Sequence, residues 1–137
     1  LDAKVYMDSS PILINELSFS VENSIGFSTA ISSANGKIAS RVTSRKITGS
    51  INPYQDTSSI SNYTKFVANT EFSLFAYAKN DTATAGEFTN IVAVYMPKCI
   101  ITELGQGDAD GLVQESISFQ ASRGTNAANN EIFLTFI

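Results

Sequence analysis

The densest group of potential ligands in the chain is Asp108-Ala109-Asp110-Gly111, flanked by Glu103 and Glu115. Carboxylates at alternate positions before a glycine invite comparison with a calcium loop. A loop of the EF-hand type needs a third oxygen two positions after the second Asp and a glutamate at its twelfth position. Leu112 stands where that third ligand is required, so the set reads as turn chemistry, in which Asp bonds its own backbone and Gly supplies positive φ. Other chemistries lack parts. The chain has no histidine and no tryptophan, and Cys99 is its single cysteine. A nucleophilic serine would have to use Lys or a carboxylate as base, and neither Ser-x-x-Lys nor Gly-x-Ser-x-Gly occurs. Two carboxylates that meet in the fold are the one hydrolytic arrangement that spacing does not exclude. Gly105-Gln106-Gly107 is not followed by the glycine, lysine or serine of a phosphate-cradling loop. No catalytic residue, cofactor site or metal ligand is expected, and the chain reads as a scaffold rather than an enzyme.

The charged residues that remain are better suited to a partner. Lys37, Arg41, Arg45 and Lys46 supply four of the nine basic residues. In strand geometry the first three share one face at spacing four, with Lys46 opposite. Such a stripe fits the acids Glu16, Glu22, Glu103, Asp108, Asp110 and Glu115 of a second copy, or is a solvated strand edge. The net charge of -4 and the pI near 4.6 argue against overall attraction to nucleic acid. No window approaches the roughly 20 apolar residues that cross a bilayer as a helix, and no signal-like start is present. Cys99, within Met96-Pro97-Lys98-Cys99-Ile100-Ile101, reads as a buried structural thiol in a reducing compartment, the cytosol being favoured.

These residues must be positioned by strands. At 137 residues, 43% hydrophobic and only 16% charged, the chain suits one domain spanning 1–137 that buries about two-thirds of its unfolded surface. Its surface must be covered by neutral polar groups or by neighbouring subunits. Val5 and Tyr6 start a short strand, closed by a turn at Asp8-Ser9-Ser10-Pro11. From Ile12 to Asn23, Leu17, Phe19 and Val21 alternate with Glu16, Ser18, Ser20 and Glu22. Ser24 to Lys37 has no sustained period and reads as a long loop or arm, in which the apolar Ile25, Phe27 and Ile31 are odd unless they meet something. A hairpin with Asn35-Gly36 at its tip is the alternative. Lys37 to Asn52 is a long strand, or two joined at a bulge, ending at Pro53. Asp56 to Asn69 is the one helix, capped by Asp56 or Thr57, with Ile60, Tyr63, Phe66 and Val67 as the face laid on a sheet. Glu71 to Lys79 is a strand, and Asn80 to Gly86 a turn. Phe88 to Leu104 is a long apolar run with Pro97 marking a bulge or an edge. Leu112 to Ser122 alternates again, Arg123 to Asn130 is a loop, and Glu131 to Ile137 is a terminal strand that must be paired. The expected fold is mainly β: a β-sandwich or small barrel of about seven strands with one flanking helix. The chain begins at Leu1, which points to a processed product or to a segment before it.

Taken in order, Glu16-Leu17-Ser18-Phe19-Ser20-Val21, the stretch from Ser40 through Arg41, Arg45 and Gly49 to Pro53, Met96-Pro97-Lys98-Cys99, Gly107-Asp108-Ala109-Asp110-Gly111 and the terminal strand resemble tail tube proteins of long-tailed bacteriophages. The resemblance covers most of the chain from about Asn15 onward. It implies a structural virion protein that self-assembles through inner strands joined across subunits, in hexameric rings stacked by a long loop, with other tail proteins as partners and DNA passing without specific binding. It places Glu16, Ser18, Ser20 and Glu22 as lumen candidates and Ser24 to Lys37 as the stacking loop. Arg41, Arg45, Ile25, Phe27 and Ile31 are then intersubunit candidates. The location implied is the virion, after assembly in the host cytoplasm, with no membrane involved. The competing class is a receptor- or carbohydrate-binding β-sandwich of a virion or cell surface. Such a module shows aromatics on loops, whereas Tyr54, Tyr63, Tyr77 and Tyr95 fall mostly in expected helix or strand.

Overall fold

The computed structural model describes residues 2–32, 34, 36–56, 59–80, 91–123 and 130–137. Asn35, Thr57, most of the turn after Asn80 and most of the loop after Arg123 lie outside them. The elements are β1 (Asp2–Met7), β2 (Ser10–Ile12), β3 (Ile14–Thr29), β4 (Lys37–Pro53), α1 (Ser59–Ala68), β5 (Phe72–Lys79), β6 (Ile91–Ala109), β7 (Leu112–Ala121) and β8 (Phe133–Phe136). The mainly-β reading with one helix holds. Its arrangement is a single antiparallel sheet of eight strands, ordered β2-β1-β5-β6-β7-β4-β3 with β8 on β6, not closed into a barrel. The extra strand over the expected seven is β2, which folds back on β1 across the turn at Asp8 and Ser9, both at positive φ.

The strand order forces the sheet to roll. β2 and β3 lie at its two ends, yet only Leu13 separates them in the chain. The ends therefore come together, and the inner face is enclosed. The buried cluster draws Met7 from β1, Phe72 and Leu74 from β5, Met96, Cys99 and Ile101 from β6, Ile117 and Phe119 from β7, and Ile47 and Ile51 from β4. Phe72 and Phe119, on strands either side of β6, meet edge to face at 6.2 Å between centroids, a favoured aromatic geometry. The alternation of β5 is as its sequence predicts, with Phe72, Leu74 and Ala76 buried. Pro97 marks a bulge as expected. Phe72 pairs with Cys99 and Leu74 with Met96, so β6 carries one extra residue there. At the same point β6 changes its partner on that flank from β8 to β7.

Two sequence expectations are corrected. Ser24 to Lys37 is not a long loop but part of a hairpin, the alternative reading, because β3 runs on to Thr29 and pairs with β4 from Lys37. Cross-strand pairing from Ile14↔Pro53 to Thr29↔Lys37 satisfies backbone that a loop would leave to water. The helix is shorter than expected and rotated. Ser59 and Asn62 face inward, and Ile60 (77% exposed), Tyr63 and Val67 face outward, only Phe66 packing on the core. The cause is the group beneath: Glu115 is buried on β7, and Asn62 Nδ2 donates to its Oε2 at 2.7 Å. A buried carboxylate demands a donor, and an apolar side chain there would leave it unsatisfied. The helix ends with Asn69 at positive φ, its N–H on the Phe66 carbonyl and the Thr70 N–H on the Lys65 carbonyl, the paired bonds of a Schellman motif. Asp8 then ties three elements, accepting from Lys65 of α1 and from the Ser73 backbone of β5. Burial raises its pKa, but these bonds and the Lys65 charge outweigh it and hold the carboxyl below its ordinary value.

Two measurements check this core. A Cβ at Gly49 would lie 2.5 Å from both Phe119 Cζ and the Ser18 carbonyl oxygen. Gly49→Val is expected to lower stability by about 1–3 kcal/mol or more, read as the urea midpoint, and an unchanged midpoint would contradict the close approach. Burial pushes the Cys99 thiol up to about 12. It should resist iodoacetamide in the native protein and react once unfolded. Because the unfolded thiol ionises from an ordinary value near 9.0 while the folded one stays protonated, its contribution is full below pH 9 and is lost as pH rises towards 12.

Candidate functional site

Alternation along β3 divides its surroundings into a polar and an apolar face, and the registers carry both faces across the sheet. On the polar side Ser18 stands opposite Ser50, Ser50 opposite Ser118, and Ser118 opposite Glu103. The next row is Ser20, Thr48, Gln120 and Ile100. Ser18 Oγ and Ser50 Oγ are 2.8 Å apart. The result is a patch of neutral polar side chains over β3, β4 and β7, bordered on β6 by Glu103 and Ile100. Of the four lumen candidates, Ser18 and Ser20 belong to these rows. Glu22 stands opposite Lys46, so both signs of charge meet there. Glu16 lies in the irregular step between Ile14 and Leu17 and has no register partner in the pairing of β3 with β4.

The other side of β3 begins in the core and leaves it. Leu17 opposite Ile51 is half-buried. Further along the same side come Phe19 (38% exposed), Val21 (42%), Ile25 (60%) and Phe27 (58%). Exposure rises because β7 pairs with β4 only between Ile47 and Ile51. Beyond that point β3 and β4 continue as a two-stranded ribbon, about 30 Å long for the ten residues from 37 to 46 at about 3.3 Å each. At its end the Ala30 N–H bonds the Gly36 carbonyl, with Ile31 fully exposed. Ile25, Phe27 and Ile31 are thus brought together on one arm, and Val42 opposite Ile25 extends the stripe. Leu134 and Phe136 of β8, paired with Val94 and Val92, continue the inner face and are also exposed.

A bulge separates the two arginines that strand spacing puts on one face. Ser24 pairs with Ser44 but Ile25 with Val42, so Thr43 is the extra residue, and its Oγ1 donates to the Ser24 carbonyl. The alternation of β4 flips across it. Arg45, opposite Asn23, bonds Asn23 Oδ1 at 3.1 Å and lies 3.9 Å from Glu131, whereas Arg41, opposite Gly26, falls on the side of Ser20 and Glu22. Periodicity carries no signal for such a flip; only the register shows it.

The structure also displays surfaces that sequence reasoning missed. Tyr6, Phe75, Tyr95 and Phe133 stand opposite one another across β1, β5, β6 and β8 on the outer face. Successive ring centroids are 6.1, 6.3 and 6.1 Å apart. Their positions within strands suggested packing, but each lies out of phase with its buried neighbours, and that phase was legible. At the far end of β6 and β7, the turn Asp110-Gly111 has positive φ at both residues, and Asp108 Oδ1 accepts from the Gly111 N–H, so this segment is a hairpin turn as its sequence predicts. Beside it, Tyr54, Gln55, Asp56, Leu112 and Val113 line an open cleft of about 600 Å³. Among the described residues no group of three or more His, Cys, Asp or Glu could hold a metal ion.

No protein-family profile and no curated protein sequence matches the chain. Solved structures do. It is similar to a chain of an extracellular contractile injection system, the PVC sheath–tube complex in its extended state, at TM-score 0.66 and 10% identity, covering 98% of this chain and 88% of that one. It is similar to a chain of the anti-feeding prophage cap, the tube-terminating cap, at TM-score 0.66, 9% identity and the same coverage. A chain of the native gene transfer agent virion matches at TM-score 0.53 and 14% identity, over 99% of this chain and 95% of that one. At these identities the likeness is one of backbone architecture, and it agrees with the order of elements seen here: the protein has a tail tube fold.

Proposed function

We propose that the chain, acting as one tube-type domain, is a structural virion protein of a phage-type tail that assembles with copies of itself into rings, hexameric by analogy, stacked as a tube through which DNA passes. The observation that carries this reading is the β3 arm, whose apolar stripe runs out of the core onto a projecting ribbon. A monomer would leave in water a contiguous surface of the kind that marks interaction sites. A neighbour that covers it and pairs the outer edge of β3 removes both liabilities. Rings and tubes are what heterologous contacts produce when they close and when they repeat. The neutral rows of Ser18, Ser50, Ser20, Thr48 and Gln120 suit a lumen wall, since they offer a phosphate backbone neither a cation to grip nor strong repulsion. Of the acidic lumen candidates, Glu22 faces Lys46 across the ladder. The similar chains come from multi-subunit tube, cap and virion assemblies, which supports a structural, non-enzymatic role and a location in the virion.

One observation favours a second reading. The row Tyr6, Phe75, Tyr95, Phe133 is an exposed aromatic platform of the kind that sugar or receptor ligands stack on. A monomer retained on a glycan array would support a binding module of a virion or cell surface.

Light scattering over a concentration series, followed by negative-stain imaging, tests the main reading. Rings or tubes are expected, and a strict monomer at every concentration would overturn it. Ser18→Arg with Ser20→Arg should leave tube assembly intact and slow DNA passage in an ejection assay, by placing cations along the wall. Unchanged ejection would remove these strands from the lumen.

A further inference from the structure

We propose that the aromatic row Tyr6, Phe75, Tyr95, Phe133 is a binding site for a neutral oligosaccharide or polysaccharide, carried on the outside of the assembled tube; the placement, though not the site itself, rests on the tube reading above. The site starts from strand phase. Met7, Leu74 and Met96 point into the core, so the residues one step away on β1, β5 and β6 point out, and there the chain has Tyr6, Phe75 and Tyr95 in register. β8 adds Phe133 opposite Tyr95. Tyr77, two residues along β5, stacks on Tyr6 with centroids 6.5 Å apart and an interplanar angle of 19°. Phe75, Tyr95 and Phe133 are 37, 40 and 48% exposed. Ring surface therefore meets water in a run across four strands, about 14 Å over three interstrand steps of about 4.8 Å.

The lining selects the ligand. Tyr6, Ser9, Ser73, Phe75, Tyr77 and Tyr95 border a cleft of about 460 Å³, within the range of small-ligand sites. None of the six is charged, so the cleft offers an anion no counter-charge and a cation no carboxylate. Lys4, opposite Tyr77, lies outside it, and Lys79 one row further is matched by Asp2 at 3.4 Å. A sugar fits what is present: its C–H face packs on a ring face, and its hydroxyls bond the Ser and Tyr hydroxyls at the margin. The linear outline of the row suits a chain of sugars over a single one. Placement follows from the roll. The row lies on β1, β5, the first part of β6 and β8, whereas Ser18, Ser50 and Ser118 lie on β3, β4 and β7. The two sets of strands enclose the core between them, so their outer faces look away from each other. With the serine rows on the lumen, the aromatic row is on the tube exterior. Sugar binding and assembly then use different strands and do not exclude each other, unlike the monomeric module of the second reading.

Titration calorimetry with hexamers of β-1,4-linked glucose, β-1,4-linked N-acetylglucosamine and α-1,4-linked glucose tests the site. Tyrosine emission is followed in parallel, since the chain has no tryptophan to mask it. Binding of at least one hexamer, with a change in that emission, is expected. Phe75→Ser with Tyr95→Ser should weaken it about tenfold or more, while Tyr63→Ala, on the outward face of α1, should leave it unchanged. No binding of any hexamer at millimolar concentration, or undiminished binding by the double variant, would overturn the site. So would preference for a proline-rich peptide, the other ligand that aromatic-lined grooves take. Should the double variant unfold by circular dichroism, Phe133→Ser alone decides in its place. Pelleting of assembled tubes with an insoluble polysaccharide of the linkage that binds reads the placement, and co-sedimentation is expected. Subunits that bind the hexamer but tubes that do not pellet would mean that a neighbour covers the row, and would overturn the exterior placement. Protein that forms no tube at any concentration overturns the tube reading and the placement with it, and the titration then decides the sugar site by itself.

Discussion

The constraint on which the rest of the molecule depends is the single residue, Leu13, between the two outermost strands of the sheet. β2 must pair with β1 at one end of the strand order and β3 with β4 at the other. Ile12 and Ile14 are two residue steps apart, at most about 7 Å, so the ends cannot be apart and the sheet has to roll. Rolling turns one face inward, and there Phe72, Phe119, Met96, Ile47 and Ile51 replace water with one another. It also leaves the roll open, since β2 and β3 are consecutive but not hydrogen-bonded to each other. Val5, Ile12, Leu17, Ala76 and Val94 line that opening. The backbone edges and apolar side chains available to a second copy follow from it.

Bulges adapt this rolled sheet to its tasks. The extra residue near Pro97 lets β6 serve β8 along its first part and β7 along its second. Proline there costs little, because the ladder is already interrupted and a missing N–H is tolerated. The bulge at Thr43 flips the side chains of the outer part of β4 relative to the inner part. It sends Arg45 towards Glu131 and leaves Arg41 on the opposite side. One inserted residue thus divides a basic stripe into an internal tie and an outward charge.

The helix follows an equally local rule with a less expected result. Its apolar residues Ile60, Tyr63 and Val67 were the natural candidates for burial, yet they face outward, because the sheet beneath presents buried Glu115 and Asn62 donates to it. A buried polar pair contributes little net stability but is costly to break, so it sets the orientation of the helix more firmly than hydrophobic area does.

Much of this was legible in the residues. Period-2 alternation located β4, β5 and β7 closely and gave β5 its buried face. Asp-Gly at 110 and 111 announced a turn, and Pro97 a bulge. The lack of histidine and the failed ligand spacing at Leu112 removed most catalytic and metal chemistry. Pairing was not legible, because hydrogen-bond partners lie far apart in sequence and a one-residue shift reverses every face. So the arm was read first as a loop and only second as the hairpin it is, Arg41 and Arg45 were placed on one face, and the aromatic row across four strands could not be seen. The sequence by itself determined which segments are strands and which of their residues want water, since both are local properties of side-chain type and spacing. Only the tertiary structure decided which strands meet, and with that which apolar residues form a core and which remain exposed for a partner.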